Sequence, residues 1–280
     1  GRVAVDARST DDGGWGWWKR DQSSPYMSAY VVYGLAQAKA AGYAVSDRAL
    51  NRGLAFLQKA LAGKIKRKHA AEQADEHLDT RAFVVHAYSQ ARKPQQAWVD
   101  RLYGARDKLS DYALALLSQT ALQTGDQARA AALVKELAGR AAVTGTSASW
   151  GGKIPDHGRW QTNRIQATAH ALKALVAVDP EHALVPKAVN WLVNQRRGGY
   201  WRSTKDTAAA VFALADTMRA TGELTPDFEA TLVLNGKPVK TVRFQGNALK
   251  LAPQTLEVAA DKLQPGANTI AFQKKGEGRL

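Results

Sequence analysis

Two kinds of hydrophobic pattern divide this chain. Over residues 25–220 apolar residues recur at spacings of three and four, as on one face of an α-helix, and alanine is frequent. From Phe228 onward alanine thins and apolar and polar residues alternate, as on a half-buried strand. Residues 231–234 and 239–244 flank Asn235-Gly236-Lys237-Pro238. Asn-Gly between alternating runs predicts a hairpin, because both residues tolerate positive φ. Further strands are expected at residues 255–258 and 268–273, with Pro265-Gly266 as the turn between them. The helical part stops at residues 221–226, which predicts domains over 1–226 and 227–280.

Within the helical part a unit repeats. Gly13-Gly14-Trp15-Gly16-Trp17-Trp18 leads to Ser28-Ala29-Tyr30-Val31-Val32-Tyr33-Gly34-Leu35. Gly151-Gly152, with Trp160, leads to Thr168-Ala169-His170-Ala171-Leu172-Lys173-Ala174-Leu175. Gly198-Gly199-Tyr200-Trp201 leads to Thr207-Ala208-Ala209-Ala210-Val211-Phe212-Ala213-Leu214. Looser copies align at Ala82 and Ala113, and the equivalent alanines lie about 45 residues apart on average, which suits one helix–turn–helix unit. Small and apolar residues share one face of each aligned helix and let helices approach closely. Second helices are expected over 47–62, 94–103, 126–139 and 181–195, with Ser46 and Asp126 as caps and Pro180 at a first turn. That makes nine helices, five of the aligned type.

Helix pairs of this period stack as an open superhelix or close into an α/α toroid with one helix of each pair lining the centre. The Gly-Gly-aromatic loops favour the toroid, since glycine permits the tight turn from outer to inner helix and tryptophan can cover a hairpin end. Six hairpins complete such a ring, so five inner helices predict one hairpin upstream of Gly1. The last 54 residues, with about four strands, are marginal as an independent sheet and are expected to belong to a larger β-domain.

Composition narrows the chemistry. Eight Trp, eight Tyr and six Phe exclude disorder, and no apolar run approaches the roughly 18 residues of a membrane span. The chain has no cysteine, which excludes disulfides, thiolate zinc sites and a cysteine nucleophile. Its net charge of +14 and pI near 10 invite a nucleic-acid-binding module. The cations are scattered, however, and no nucleic-acid motif accompanies them.

Asp12-Gly13-Gly14-Trp15-Gly16-Trp17-Trp18 and the helix from Ser28 resemble the thioester-containing domain of the alpha-2-macroglobulin family, bacterial members best. Trp201-Arg202-Ser203-Thr204-Lys205-Asp206-Thr207-Ala208 is similar to that domain's final repeat, and the segment from Phe228 resembles the macroglobulin- or CUB-like sheet that follows it. The resemblance implies a mainly α fold: a terpenoid-cyclase-like α/α toroid with an incomplete ring, then a small antiparallel β segment. It implies part of a broad-spectrum endopeptidase inhibitor of the periplasm or cell envelope, acting as scaffold and not as an enzyme. Neighbouring macroglobulin-like domains and target proteases would be its partners, with no nucleic acid, cofactor or metal. The family's Cys-Gly-Glu-Gln motif condenses into a thioester, which a chain without cysteine cannot form. Some complement relatives speed acyl transfer with a histidine, and His69 lies in the corresponding basic loop, where a solvated histidine is the plainer reading. The signature loops Gly13, Gly14, Trp15, Trp17, Trp18, Gly151, Gly152, Trp160, Gly198, Gly199 and Trp201 are expected to be structural or to face a neighbouring domain.

Competing readings rest on other groups. His69, Glu72, Glu76 and His77 could share a helix face but lack HExxH spacing, so a solvated face is expected. Prenyltransferase zinc sites need a cysteine, and the terpene-cyclase Asp-x-Asp-Asp motif is missing. A glycan-active toroid enzyme would use Asp11, Asp12 and Asp156 with Trp15, Trp17, Trp18 and Trp160, if an acid and a base were paired in space.

Overall fold

The computed structural model describes residues 10–18, 21–65, 78–91, 95–152, 163–246 and 255–277. The chain forms two compact units, Gly1–Ala213 and Leu214–Leu280. In chain order the helices are α1 (Pro25–Ala40), α2 (Asp47–Leu61), α3 (Leu78–Ala91), α4 (Gln96–Gly104), α5 (Asp111–Gln123), α6 (Gln127–Arg140), α7 (Arg164–Val178), α8 (Leu184–Asn194) and α9 (Thr204–Ala220). A two-stranded hairpin, β1 (Ala142–Thr144) and β2 (Ser147–Ser149), stands between α6 and α7.

Their starts are set by side chains that accept otherwise unpaired N–H groups of the first turn. Ser24 accepts from Met27, Ser46 from Ala49, Ser110 from Ala113, Asp126 from Arg129, and Asn163 from both Ile165 and Gln166. At 181–195 the helix begins later than the sequence predicts. The Asp179 carboxylate takes the N–H of Glu181, and the His182 ring takes that of Leu184. Those local bonds hold the backbone in turns until α8 begins.

Helices α1, α3, α5 and α7 form an inner row, each packed on the next. In α5 every residue from Tyr112 to Ala121 is buried. Such a helix is apolar all round because neighbours cover every side, whereas an outer helix needs only one stripe. The stripe of α6 is Ala130, Leu133, Val134 and Leu137, at helical spacing. Fully buried Ala29, Ala113 and Ala169 sit where inner helices approach closely.

Three polar side-chain bonds cross the inner row, while the buried His170 Nδ1 has no hydrogen-bond partner among the described residues. Gln37 Nε2 donates to Gln90 Oε1 at 3.1 Å, joining α1 to α3. His86 Nδ1 and Thr120 Oγ1 lie 3.1 Å apart, joining α3 to α5. Gln119 Nε2 donates to the His170 carbonyl at 3.2 Å, joining α5 to α7. The two buried bonds, at His86 and Gln119, matter most, since an unpaired buried group costs about 1–3 kcal/mol.

The second unit holds β3 (Asp227–Leu234), β4 (Lys237–Gln245) and β5 (Ile270–Glu277) in the order β4-β3-β5, all antiparallel. The predicted turn is present: Leu234 pairs with Lys237, and Asn235 and Gly236 have φ of 50° and 79°. Cross-strand pairing puts Phe228, Ala230, Leu232 and Leu234 on one face with Phe244, Ile270 and Phe272. The strand expected at 255–258 is not formed, so among the described residues the sheet has three strands, not four. Pro253 two residues earlier has no N–H to donate, and the run is only four residues long. The β1–β2 hairpin was not anticipated, because three-residue strands built from Ala, Val, Thr and Ser carry too little alternation to read.

The inner row makes one direct prediction. Ala169→Leu puts three extra carbons where two inner helices meet and should destabilise the protein by about 1–3 kcal/mol. Urea titration should show a lower midpoint with an unchanged slope.

Candidate functional site

Each tryptophan loop is a clasp at the start of an inner helix. Trp150 donates its backbone N–H to Thr168 Oγ1 of α7 at 3.0 Å, and its indole N–H to the Leu137 carbonyl of α6 at 2.7 Å. Trp201 repeats this, with backbone N–H to Thr207 Oγ1 of α9 at 3.0 Å and indole N–H to the Leu192 carbonyl of α8 at 2.8 Å. Trp15 donates its backbone N–H to Ser28 Oγ of α1 at 2.9 Å. Ser28, Thr168 and Thr207 are the residues that open the aligned helical repeats, and their hydroxyls explain that preference for Ser or Thr.

The sequence groups Trp160 with the Gly151-Gly152 loop, and Trp160 lies outside the described residues; among those described, Trp150, fully buried, makes the second clasp. The signal was the contact of tryptophan with glycine in Trp15-Gly16 and Trp150-Gly151. Gly13, with φ of 93°, lies so close to α2 that a β-carbon would come 2.8 Å from the Arg52 carbonyl oxygen. Gly151, with φ of 94°, donates its N–H to Asp111 Oδ2 at 2.9 Å. Gly14 is equally crowded, against Ser23 and Phe56, whereas Gly152, Gly198 and Gly199 face open space. Trp17 and Trp18 are exposed beside buried Trp15, as Tyr200 is beside Trp201.

Asp12 builds the first loop. Its Oδ1 accepts from Thr10 Oγ1 at 2.5 Å, the Gly14 N–H at 2.9 Å and Ser23 Oγ at 2.6 Å. Burial raises its pKa, but those three bonds outweigh it and hold the carboxyl below its ordinary value. A general acid requires the opposite shift. Asp156 and the group His69, Glu72, Glu76 and His77 lie outside the described residues. Among the described residues no three His, Asp or Glu are grouped to hold a metal ion.

The sequence did not single out a second cluster, on the inner helices themselves. Phe83 of α3 packs on Tyr26, Tyr30 and Tyr33 of α1, with ring centroids 5.2, 6.5 and 6.4 Å apart, and on Tyr112 of α5 at 6.3 Å. His170 of α7 meets Tyr112 edge-on at 5.1 Å and His86 at 6.4 Å. Burial raises Tyr26 and Tyr112 well above the ordinary tyrosine value, so both stay protonated. Burial drives His86 down to about 3, with Lys173 adding to the effect, and pushes His170 down as well.

Two successive residues of α9 tie this cluster to both sides. Lys205 Nζ donates to Tyr26 Oη of α1 at 3.1 Å and lies over that ring. Desolvation lowers its pKa to about 8, and the neighbouring Asp206 offsets part of that. Asp206 is buried, and its Oδ1 accepts from Asn163 Nδ2 at 2.8 Å and Gln166 Nε2 at 2.6 Å, both at the start of α7. Protonated tyrosines and neutral histidines supply shape and hydrogen bonds to this arrangement, and it brings no activated nucleophile beside a base.

The fold has counterparts among known proteins. The family model for the A-macroglobulin TED domain matches residues 4–216. An alpha-2-macroglobulin homolog from Nostoc sp. is 27% identical over 273 residues, covering 93% of this chain and 14% of the relative. An alpha-2-macroglobulin from Thermotoga maritima is 24% identical, covering 89% of this chain and 13% of the relative. The chain therefore spans about one seventh of the length of these curated relatives. Trypsin-activated alpha-2-macroglobulin from Escherichia coli superposes with a TM-score of 0.59 at 20% identity, over 86% of this chain and 16% of that one. Native Escherichia coli alpha-2-macroglobulin from domain MG7 to the C-terminus gives 0.60 at 18%, over 96% of this chain and 38% of that one.

The buried histidines predict acid sensitivity. Their folded pKa values lie below the ordinary 6.5, so below that pH the unfolded chain takes up protons that the folded chain refuses. Stability should fall by up to about 1.4 kcal/mol per pH unit for each histidine as pH drops below 6.5, for His86 until about 3. Urea titrations at pH 7.5 and 5.0 should show this loss, and His86→Gln should remove about half of the pH dependence. An unchanged slope in that variant would refute the assignment.

Proposed function

The chain belongs to the A-macroglobulin TED domain family, and from that premise we propose that it is the scaffold part of a bacterial broad-spectrum protease inhibitor. The family match over residues 4–216 carries the reading, and the chain's small share of its relatives' length supports a role inside a longer polypeptide. In this proposal residues 1–226 are the toroid and residues 227–280 part of a following macroglobulin- or CUB-like β-domain. Residues 1–280 contain no cysteine and cannot form a thioester themselves.

The proposed partners are neighbouring domains of the same polypeptide and, through it, proteases reaching the periplasm or cell envelope. Exposed Trp17, Trp18 and Tyr200 support an interdomain contact on the aromatic loops. No helix among the described residues is long and apolar enough to cross a membrane. The glycan-enzyme alternative loses support because Asp12 is held ionised by three donors within its own loop.

The parent polypeptide, mixed with trypsin or elastase, should cut casein cleavage at least tenfold while sparing a small chromogenic substrate. Residues 1–280 alone should change neither rate. Casein cleavage unaffected by the parent polypeptide would overturn the inhibitor reading, and polysaccharide turnover by residues 1–280 would replace it.

A further inference from the structure

Asn235 is the one asparagine of the chain that glycine follows, and that pair carries a reaction of its own. The Gly236 backbone nitrogen can attack Asn235 Cγ, since glycine has no side chain to hinder it. A C–N bond forms, the Cγ–Nδ2 bond breaks, and Nδ2 leaves as ammonia with the proton that the Gly236 nitrogen gives up. Water then opens the cyclic imide at either carbonyl, to an aspartyl or an isoaspartyl residue. Gly236 is exposed, so water reaches the pair.

The folded turn holds the reacting atoms apart. Leu234 pairs with Lys237, so Asn235 and Gly236 form a two-residue loop with φ of 50° and 79°, the type I′ arrangement. In the left-handed region ψ is about +47°, which turns the following nitrogen almost opposite to Cβ. Ring closure needs that nitrogen on the same side as Cβ, so Asn235 must leave this conformation before it reacts. A second turn keeps it there. The Asn235 N–H donates to the Thr269 carbonyl at 2.9 Å, and the Thr269 N–H donates to Asn235 Oδ1 at 2.8 Å. Asn235 Nδ2, the nitrogen that would depart, donates to Asn268 Oδ1 at 2.7 Å. Asn268 is fixed within its own loop: its Oδ1 accepts the Gln264 N–H and its Nδ2 donates to the Gln264 carbonyl, each at 2.9 Å. Thr269 adjoins Ile270, so the brace ties the β3–β4 turn to the start of β5. Its side-chain bonds lie at exposed positions, where local opening costs less than in a core.

We propose that Asn235 is a guarded deamidation site: Asn268 and Thr269 keep the Asn235-Gly236 pair unreactive while the turn is closed, and the pair reacts when the turn opens. The product does not return to the braced state. An isoaspartyl residue adds a carbon to the backbone of a two-residue loop, and an aspartyl residue has no Nδ2 to give to Asn268. Reaction therefore leaves a permanent chemical record that this end of the sheet has opened. The inference does not rest on the protease-inhibitor reading and survives if that reading fails.

Residues 1–280 are incubated in physiological buffer, native or in guanidinium chloride, and conversion at residue 235 is followed by peptide mass mapping, with isoaspartyl methylation as a second readout. The native chain should convert at least tenfold more slowly than the denatured one. Asn268→Ala should convert at least threefold faster than the parent while its circular dichroism is unchanged. Asn268→Asp keeps an oxygen for Asn235 Nδ2 and should stay near the parent rate. Thr231→Ala, which removes the hydroxyl contact with Thr241 further along the same strands, should also leave the rate unchanged. Equal rates in the native and denatured parent would overturn the proposal. So would a folded Asn268→Ala chain that converts at the parent rate, or a folded Asn268→Asp chain that converts as fast as the denatured one. A rise in Thr231→Ala equal to that in Asn268→Ala would overturn it as well, by assigning the protection to the sheet as a whole.

Discussion

A helix leaves its last four carbonyls unpaired, and a ring of hairpins buries many such ends at once. Here tryptophan helps to resolve the conflict, adding its indole to the Gln195 N–H at the Leu192 carbonyl and reaching the Leu137 carbonyl of α6. One side chain covers the end of an outer helix, gives its indole N–H to a terminal carbonyl, and hands its backbone N–H to a hydroxyl on the next inner helix. The clasp therefore fixes where one hairpin stops and where the next begins. Serine or threonine must open the inner helix for the same reason, and glycine must stand where the loop brushes a neighbouring backbone.

What could be read beforehand follows from what each layer buries. Outer helices show a stripe, so the extents of α2 and α6 were legible to within a residue or so. Inner helices such as α5 and α7 are buried over most of their surface and show little periodicity, so the repeat of Thr/Ser, Ala and Leu betrayed them. The Asn-Gly hairpin was legible because its turn chemistry is local. Trp150 was missed because the clasp depends on distance to a carbonyl, not on order along the chain, and Trp160 lay nearer to the expected helix. The ring cluster was missed for a related cause. Tyr26, Phe83, Tyr112 and His170 come from four helices, and nothing in their spacing says that the row brings them together.

Electrostatics at the inner-helix starts follow the same economy. The +14 charge is scattered, yet Lys205 is drawn inward. Lys205 loses solvation and gains a tyrosine hydroxyl and ring, while Asp206 beside it takes two amide donors from α7. Neighbours in sequence on a helix point in different directions, so this pair reaches Tyr26 of α1 and the start of α7 from a single turn. Side-chain bonds thus reinforce the attachment of α9 to α1 and α7, where leucine stripes bind the outer helices.

None of this geometry requires a thioester. Asp12 is consumed in building its loop, the histidines stay neutral, the tyrosines stay protonated, and Trp150 and Trp201 finish helix ends. Every rim residue that resembles the family's signature and is paired here has a packing or hydrogen-bonding reason to be what it is. The resemblance in these loops is thus explained by the demands of stacking hairpins, and a reactive group in a relative would be an addition to a scaffold already complete in its reasons. Trp15 differs from the other two clasps only at its indole N–H, which has no hydrogen-bond partner among the described residues.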